Sequence, residues 1–200
     1  MPENRPAARR RIATALCIAA GALLCHAAPA LANGVIIDAA MGDIDGDGSK
    51  DLVTLTLPEE REGPDVGIAV YLRNSGLPAL DKAIELPARF WGSRNAGQQP
   101  EVTILQNRSI TVHTENTGFG RGHWERTYAL AWRKGTLIVA GFTYAFYDTI
   151  DHDQFGQCDI NLLTGRGVRD DKAIATGARR VLLADWEDSI GLAACGMEEG

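Results

Sequence analysis

DIDGDGSKDLVTLTL, residues 43–57, joins an acidic, glycine-containing loop to an alternating apolar segment. Val53, Leu55 and Leu57 recur at every second position, which is the period of a β-strand. The preceding nine residues carry four aspartates, with two glycines that permit a sharp turn. Like charges this close repel one another, and a hard cation with oxygen ligands removes that cost. The stretch therefore predicts a calcium loop that leads directly into a strand.

The flanks of the loop exclude two helical calcium motifs. An EF-hand shares Asp43, Asp45 and Asp47 at its first, third and fifth positions. Its twelfth position falls on Thr54, which does not replace a bidentate glutamate, and a strand follows where an EF-hand has a helix. A dockerin-type loop fails on the same helix criterion. What remains is a calcium loop in a β-hairpin.

The loop and the strands after it, residues 39–72, resemble the FG-GAP/VCBS repeat group, whose blades carry such an Asp/Gly loop in a β-hairpin. The resemblance implies a ligand set of four carboxylates and one carbonyl, namely the side chains of Asp43, Asp45, Asp47 and Asp51 and the main chain of Ser49. The remainder, residues 106–169, resembles small exported bacterial proteins in which a β-meander ends in an Asn-Leu-Leu-Thr-Gly segment, here Asn161–Gly165. That second resemblance implies fold and export only.

The predicted calcium has a structural role, because an ion wrapped by one loop has few positions left for a substrate. The alternative for the same residues is a solvated acidic turn that binds no ion, which would leave four carboxylates facing one another unscreened.

The rest of the chain predicts an all-β protein with little helix. Further strands are expected at 35–38, 66–72, 83–86, 102–105, 109–114, 127–133, 136–146 and 159–163. Residues 89–100 are expected to form a loop, and residues 172–176 and 181–186 fit either a strand or a helical turn. Strands at short spacing predict an antiparallel meander. Because the Asp/Gly motif occurs once, a compact sandwich or an open curved sheet is expected instead of a propeller.

The first 32 residues have the pattern of a signal peptide. Arg9 to Arg11 supply the basic region, residues 12–24 the apolar region, and Ala30 to Ala32 the small-residue cleavage site. A retained anchor is the alternative, although the apolar run is short for a membrane span. We expect one domain at 33–200, with a calcium-loop segment at 33–75 and a β-meander at 100–200.

Removal of the leader leaves 16 basic and 25 acidic side chains, a net charge of −9. An acidic surface of this kind argues against nucleic acid and anionic membranes as partners. Only Cys158 and Cys195 remain after cleavage. In an exported domain two cysteines predict one disulfide, which would fasten the C-terminal tail to the sheet. A catalytic or metal-binding thiol pair is the alternative.

Two weaker candidate sites lie outside the loop. The glycine-rich segment 117–124 is expected to be a hairpin loop, and its Arg121, His123 and Trp124 suggest an aromatic platform for a ligand such as a sugar. Asp148, Asp151 and Asp153 form a second acidic cluster, interpreted as a solvated loop because it lacks glycines.

The function predicted from sequence is an exported calcium-binding β-protein of the periplasm or cell exterior. It is expected to be a non-enzymatic binding or structural module, with no catalytic residues and with a protein or a carbohydrate as its partner. The alternative is a hydrolase of envelope or extracellular polymers, with a cleft near His113, Glu115, His123 and Glu125. Convergence of these four side chains in one concave site would favour the enzyme.

Overall fold

The computed structural model describes residues 34–58, 65–74, 76 and 78–198. The predicted signal peptide at 1–32 and the acidic loop at 59–64 lie outside these residues. The described residues from 34 onward belong to one compact unit.

The first sheet is a four-stranded antiparallel meander. Its strands follow one another in chain order: β1 (Gly34–Gly42), β2 (Asp51–Pro58), β3 (Asp65–Arg73) and β4 (Leu80–Trp91). The expected alternation on β2 is confirmed, since Val53, Leu55 and Leu57 are at most 1% exposed. These three side chains form the face that the first sheet turns toward the core.

The second sheet is a longer antiparallel meander. Seven of its strands are paired in chain order: β5 (Glu101–Ile104), β6 (Ile110–Asn116), β7 (Gly122–Arg133), β8 (Thr136–Asp148), β9 (Phe155–Asn161), β10 (Arg166–Arg169) and β11 (Lys172–Ala175). The two-residue strand β12 (Val181–Leu182) pairs with β8 beyond the end of β9. The predicted turns at Asn107-Arg108 and Lys134-Gly135 join β5 to β6 and β7 to β8.

The two sheets form a sandwich around one apolar core. Alternate residues of β6 to β9 point inward and are fully buried, among them Val112, Tyr128, Phe142 and Ile160. Burial of this apolar surface is the main term that favours folding. The predicted all-β meander is therefore confirmed, in its sandwich form.

The C-terminal segment covers the core side of the second sheet. A short 3-10 helix (Leu183–Asp185) and the helix α1 (Asp188–Cys195) follow β12. The predicted Cys158–Cys195 disulfide is present and joins β9 to the end of α1. Gly191 packs so closely on Phe142 that an added Cβ would lie 2.5 Å from the ring.

A buried polar network, called here the C-terminal clasp, fastens α1 to β7. Asp188 accepts hydrogen bonds from Arg126 Nη1 at 2.6 Å, Tyr128 OH at 2.9 Å and Trp186 Nε1 at 3.0 Å. The Arg126 guanidinium also lies over the ring of Trp124, 4.3 Å from its centre. Nearly all of Arg126 and Tyr128 is buried, so the carboxylate of Asp188 compensates for the removal of these donors from water.

Some sequence-based boundaries were wrong. β4 and β8 are longer than predicted and β9 begins four residues earlier, at Phe155. The loop expected at 89–100 is confined to 92–100. Neither β10 nor α1 was predicted, while 172–176 and 181–186 turn out to hold β11, β12 and the 3-10 helix.

Candidate metal centre

The acidic loop spans residues 43–50 and connects β1 to β2. Its base is closed by the register pair of Gly42 and Asp51, the last residue of β1 and the first of β2. Gly46 and Gly48 have φ angles of 93° and 84°, in the region that favours glycine. The two glycines therefore have the conformational role that the sequence assigned to them.

Three of the four aspartates present their carboxylates to one point. One oxygen each of Asp43, Asp45 and Asp51 lies within 4.8 Å of the other two. The three aspartates differ in burial: Asp51 is fully buried, Asp43 is half-buried and Asp45 is exposed. Three convergent carboxylates without histidine or cysteine are a donor set for a hard cation. The group could hold a metal ion on this geometry.

Asp51 anchors the loop to the sheet. Its Oδ2 accepts the backbone N–H of Ile44 at 2.8 Å, and its Oδ1 accepts that of Arg73 at 2.9 Å. Ile44 is itself buried in the core. A carboxylate offers about four lone-pair positions, so both oxygens retain capacity to face a cation. Asp51 thus fixes the base of the loop while its charge stays directed at Asp43 and Asp45.

The other loop carboxylates also accept backbone N–H groups. Asp43 accepts Gly46 N at 2.6 Å and Gly48 N at 3.3 Å, and Asp45 accepts Asp47 N at 3.1 Å. Bonds from amide donors to ionised carboxylates are stronger than neutral ones and stabilise the charged form. The sequence led us to expect that the four negative charges would be unscreened without a cation. This premise was wrong, because the amides of the loop offset part of the repulsion between the carboxylates.

A basic side chain also lies against the loop. The Arg108 side chain, from the β5–β6 turn, is in contact with Gly46, such that any Cβ added there would overlap Nη1. Its positive charge further lowers the repulsion within the acidic group. Sequence reasoning missed this residue. The turn itself was predicted, but nothing local shows that the turn lies beside a loop 60 residues earlier.

Asp47 and Ser49 are not part of the convergent carboxylate group. Asp47 is exposed, and its Oδ1 accepts the N–H of Ser49 at 2.7 Å. Their ligand roles stay predictions. In the second acidic cluster Asp148 pairs with Arg121 and accepts two backbone N–H groups, while Asp151 accepts Gln154 Nε2. Within the described ranges, only the Asp43 group has carboxylates close enough for a metal ion.

The residues of the predicted aromatic platform lie apart. Arg121 pairs with Asp148 at 2.6 Å, and this contact, with two backbone N–H groups, lowers the pKa of Asp148 to about 2. Successive residues of β7 point to opposite faces, so His123 lies on the outer face and Trp124 on the inner one. Trp124 packs edge-on against Trp91. The three side chains are not brought together.

The four residues of the hydrolase alternative share the outer face of the second sheet. Glu115 and Glu125 are register partners on β6 and β7. His113 bonds Thr127 Oγ1 at 3.1 Å. The four side chains lie along open strands, and none of them lines any of three cavities, of about 650, 190 and 510 Å³, in the described part of the chain.

Comparison with family models, with curated proteins and with solved structures finds no match to this chain. In the described part of the chain, no helix has both the length and the hydropathy to cross a bilayer.

Proposed function

We propose that this protein is an exported β-sandwich that binds one calcium ion in the 43–51 loop, where the ion has a structural role. The observation that carries the proposal is the convergence of Asp43, Asp45 and Asp51 within 4.8 Å. The motif spacing supports calcium in particular, because alternate carboxylates with intervening glycines suit its flexible, oxygen-rich coordination. The hairpin position of the loop also agrees with the proposed likeness to FG-GAP/VCBS loops.

A structural role follows from what the ion would connect. Asp51 is held by Ile44 and Arg73, so an ion shared by Asp43, Asp45 and Asp51 would link the loop tip to β2 and β3. Such an ion stabilises the folded state by mass action, since the extended chain has no convergent site. The expected product is a binding or structural module that holds its fold through calcium.

Export is supported by the disulfide. A bond between Cys158 and Cys195 is typical of oxidising compartments, which include the periplasm and the cell exterior. Together with the predicted signal peptide, it supports a periplasmic or secreted location for the mature chain. The four residues of the hydrolase alternative do not line the three cavities described above.

The test is thermal unfolding of chelator-treated protein before and after calcium is returned. At about a hundred times the dissociation constant, calcium should add roughly 2.7 kcal/mol to the free energy of unfolding. For a domain of this size that corresponds to about 5 to 11 °C in Tm. Magnesium at the same concentration should give a smaller shift, because it dehydrates reluctantly and demands octahedral geometry.

Asp45→Ala should abolish the calcium shift. Asp45 is the exposed member of the group, so its loss removes a ligand and spares the core. Asp153→Ala is the matched control, since it removes an exposed aspartate from the other acidic loop. An equal calcium shift in wild-type protein and Asp45→Ala, or no shift in fully chelated wild-type protein, would refute the proposed site.

A further inference from the structure

An exposed aromatic row lies at one end of the outer face of the second sheet. His123, Tyr147 and Phe155 are register partners on β7, β8 and β9, and their side chains point outward. Tyr147 is 43% exposed and Phe155 is 68% exposed. The His123 ring meets Tyr147 edge-on, with Nδ1 2.9 Å from the hydroxyl. Neighbouring strands are about 4.8 Å apart, so the rings form one continuous strip.

Carboxylates border this strip. The next register row contains Glu115, Glu125, Ala145 and Gln157. A cavity of about 510 Å³ opens there, lined by Ala145, Phe155, Gln157, Asp170 and Asp171 among others. We call the aromatic row and these bordering carboxylates the acidic aromatic face.

No lysine or arginine is among the residues that line this cavity. The nearest basic residues in sequence, Arg169 and Lys172, are register partners and therefore lie on one face of the β10–β11 hairpin. Arg169 Nη1 donates a hydrogen bond to the carbonyl of Gly196, just beyond the end of α1. The face of the hairpin that carries Arg169 and Lys172 is therefore the core side.

Arg169 also pairs through Nε with Asp170 at 3.4 Å, and Arg121 pairs with Asp148 at 2.6 Å, so these two cations are held by carboxylates at this end of the sheet. The outer side presents Glu115, Glu125 and Asp171 beside the exposed rings.

We propose that the acidic aromatic face binds a basic peptide, with lysine or arginine side chains stacked on the two exposed rings and neutralised by the bordering carboxylates. The negative edge of the face attracts cations, and the electron-rich ring faces hold them by cation–π contact. An acidic peptide or an anionic membrane would be repelled by the same charges. The inference is independent of the calcium proposal, because none of its residues belongs to the 43–51 loop.

The experiment titrates fluorescein-labelled octalysine with the full mature chain and follows anisotropy at low ionic strength. Calcium is kept saturating, so that the peptide does not compete for the acidic loop. Octaglutamate and an uncharged hexasaccharide are titrated in parallel. Wild-type protein should bind octalysine only, and added salt should weaken the binding.

Variants separate a specific face from general attraction to an acidic protein. Tyr147→Leu with Phe155→Leu should weaken octalysine binding, by about two- to fivefold for each ring, the strength of an exposed cation–π contact. Phe119→Leu is the matched control, since Phe119 is 55% exposed at the same end but lies in the β6–β7 loop. Glu125→Gln should weaken binding more than Glu85→Gln, which removes the same charge from the first sheet. The melting temperature of each variant confirms folding.

The proposal is overturned if the double ring variant binds octalysine as tightly as wild type. It is equally overturned if Glu125→Gln and Glu85→Gln have the same effect, because binding would then depend on net charge alone. Binding of the hexasaccharide that the ring variants abolish would assign the face to a carbohydrate instead.

Discussion

Replacement of Asp188 by alanine should strongly destabilise this protein, because it removes the acceptor at the centre of the C-terminal clasp. Asp188 receives three hydrogen bonds, from Arg126, Tyr128 and Trp186. Burial raises the pKa of Tyr128 well above its ordinary value, and the negative charge of Asp188 raises it further. The Tyr128 hydroxyl therefore remains a protonated donor at neutral pH and loses its acceptor in the variant.

The cost follows from what is left unpaired. Breaking a buried ion pair by removal of one partner costs about 3–5 kcal/mol. Only 6% of the Arg126 side chain is exposed, which supports that range, while 23% of the Asp188 side chain is exposed and lets water replace part of the lost bonds. Arg126 also keeps its contact with Trp124. We therefore expect about 3–4 kcal/mol, a large part of the roughly 5–15 kcal/mol that holds a typical domain together.

Urea unfolding followed by tryptophan fluorescence measures this loss, and Trp186 reports on the clasp itself. The corresponding fall in Tm is about 6 to 16 °C for a domain of this size. Asp185→Ala is the control, because Asp185 is exposed and lies three residues earlier. It should change the free energy of unfolding by less than about 0.5 kcal/mol. A loss below about 1 kcal/mol in Asp188→Ala, or a loss equal to that of the control, would refute the reasoning.

Three further predictions concern the disulfide, the acidic loop and the hairpin loops of the second sheet. Reduction of the disulfide, which spans 37 residues, should cost about 4 kcal/mol by the loop-closure argument, measured by urea unfolding with and without reductant; equal midpoints would contradict it. Gly46→Ala should destabilise more than Gly48→Ala, because both residues have positive φ but only the first has Arg108 against it; equal losses in thermal unfolding would show that the contact has no cost. The Asp148 carboxyl should titrate by NMR near pH 2, and Arg121→Gln should move its midpoint toward the ordinary 3.8. Because the folded pKa is lowered, the stabilisation is present above pH 3.8 and is lost as pH falls toward 2; an unchanged midpoint in Arg121→Gln would contradict the assigned cause.

The elements that could be predicted are those whose signal is local. β2 was read from the alternation of Val53, Leu55 and Leu57, since a strand with one buried face repeats every two residues. The β7–β8 hairpin was read from its two-residue turn, in which Lys134 and Gly135 both have the positive φ that such a turn requires. The β5–β6 hairpin was also predicted, but its connection is longer, residues 105–109, with Arg108 at positive φ.

β4 shows why strand lengths were missed. Pro87 looks like the end of a strand, because proline removes a ladder donor. In the structure Ile68 faces Leu86 and Val66 faces Phe90, so the residues between Leu86 and Phe90 form a bulge and the strand continues beyond them. Ala88 takes a φ of 52° within it. A bulge depends on the pairing of two distant segments, and a single sequence does not contain that pairing.

The helix α1 was missed for a similar reason. It has eight residues, which is too short to be stable alone, and its sequence has weak amphipathic periodicity. The disulfide, the clasp and the close approach of Gly191 to Phe142 hold it on the sheet. The disulfide joins residues 37 positions apart, and the Arg126 and Tyr128 bonds of the clasp join residues 62 and 60 positions apart. Tertiary packing, and not helix propensity, therefore determines this element.

The acidic loop depends both on local sequence signals and on contacts with distant residues, and the distant contacts change how its charges are balanced. The aspartates and the glycine turns could be predicted from the local sequence. The Arg73 amide and the Arg108 side chain, by contrast, are brought to the loop by the fold. The Arg73 amide donates a hydrogen bond to the buried carboxylate of Asp51, and the Arg108 charge beside Gly46 reduces the repulsion that seemed to demand a cation. The sandwich thus compensates the negative charge at the base of the loop through its own donors. A bound ion would therefore offset mainly the charge of the exposed Asp45. The proposed calcium site is accordingly expected to stabilise the loop, while the burial of Asp51 belongs to the fold itself.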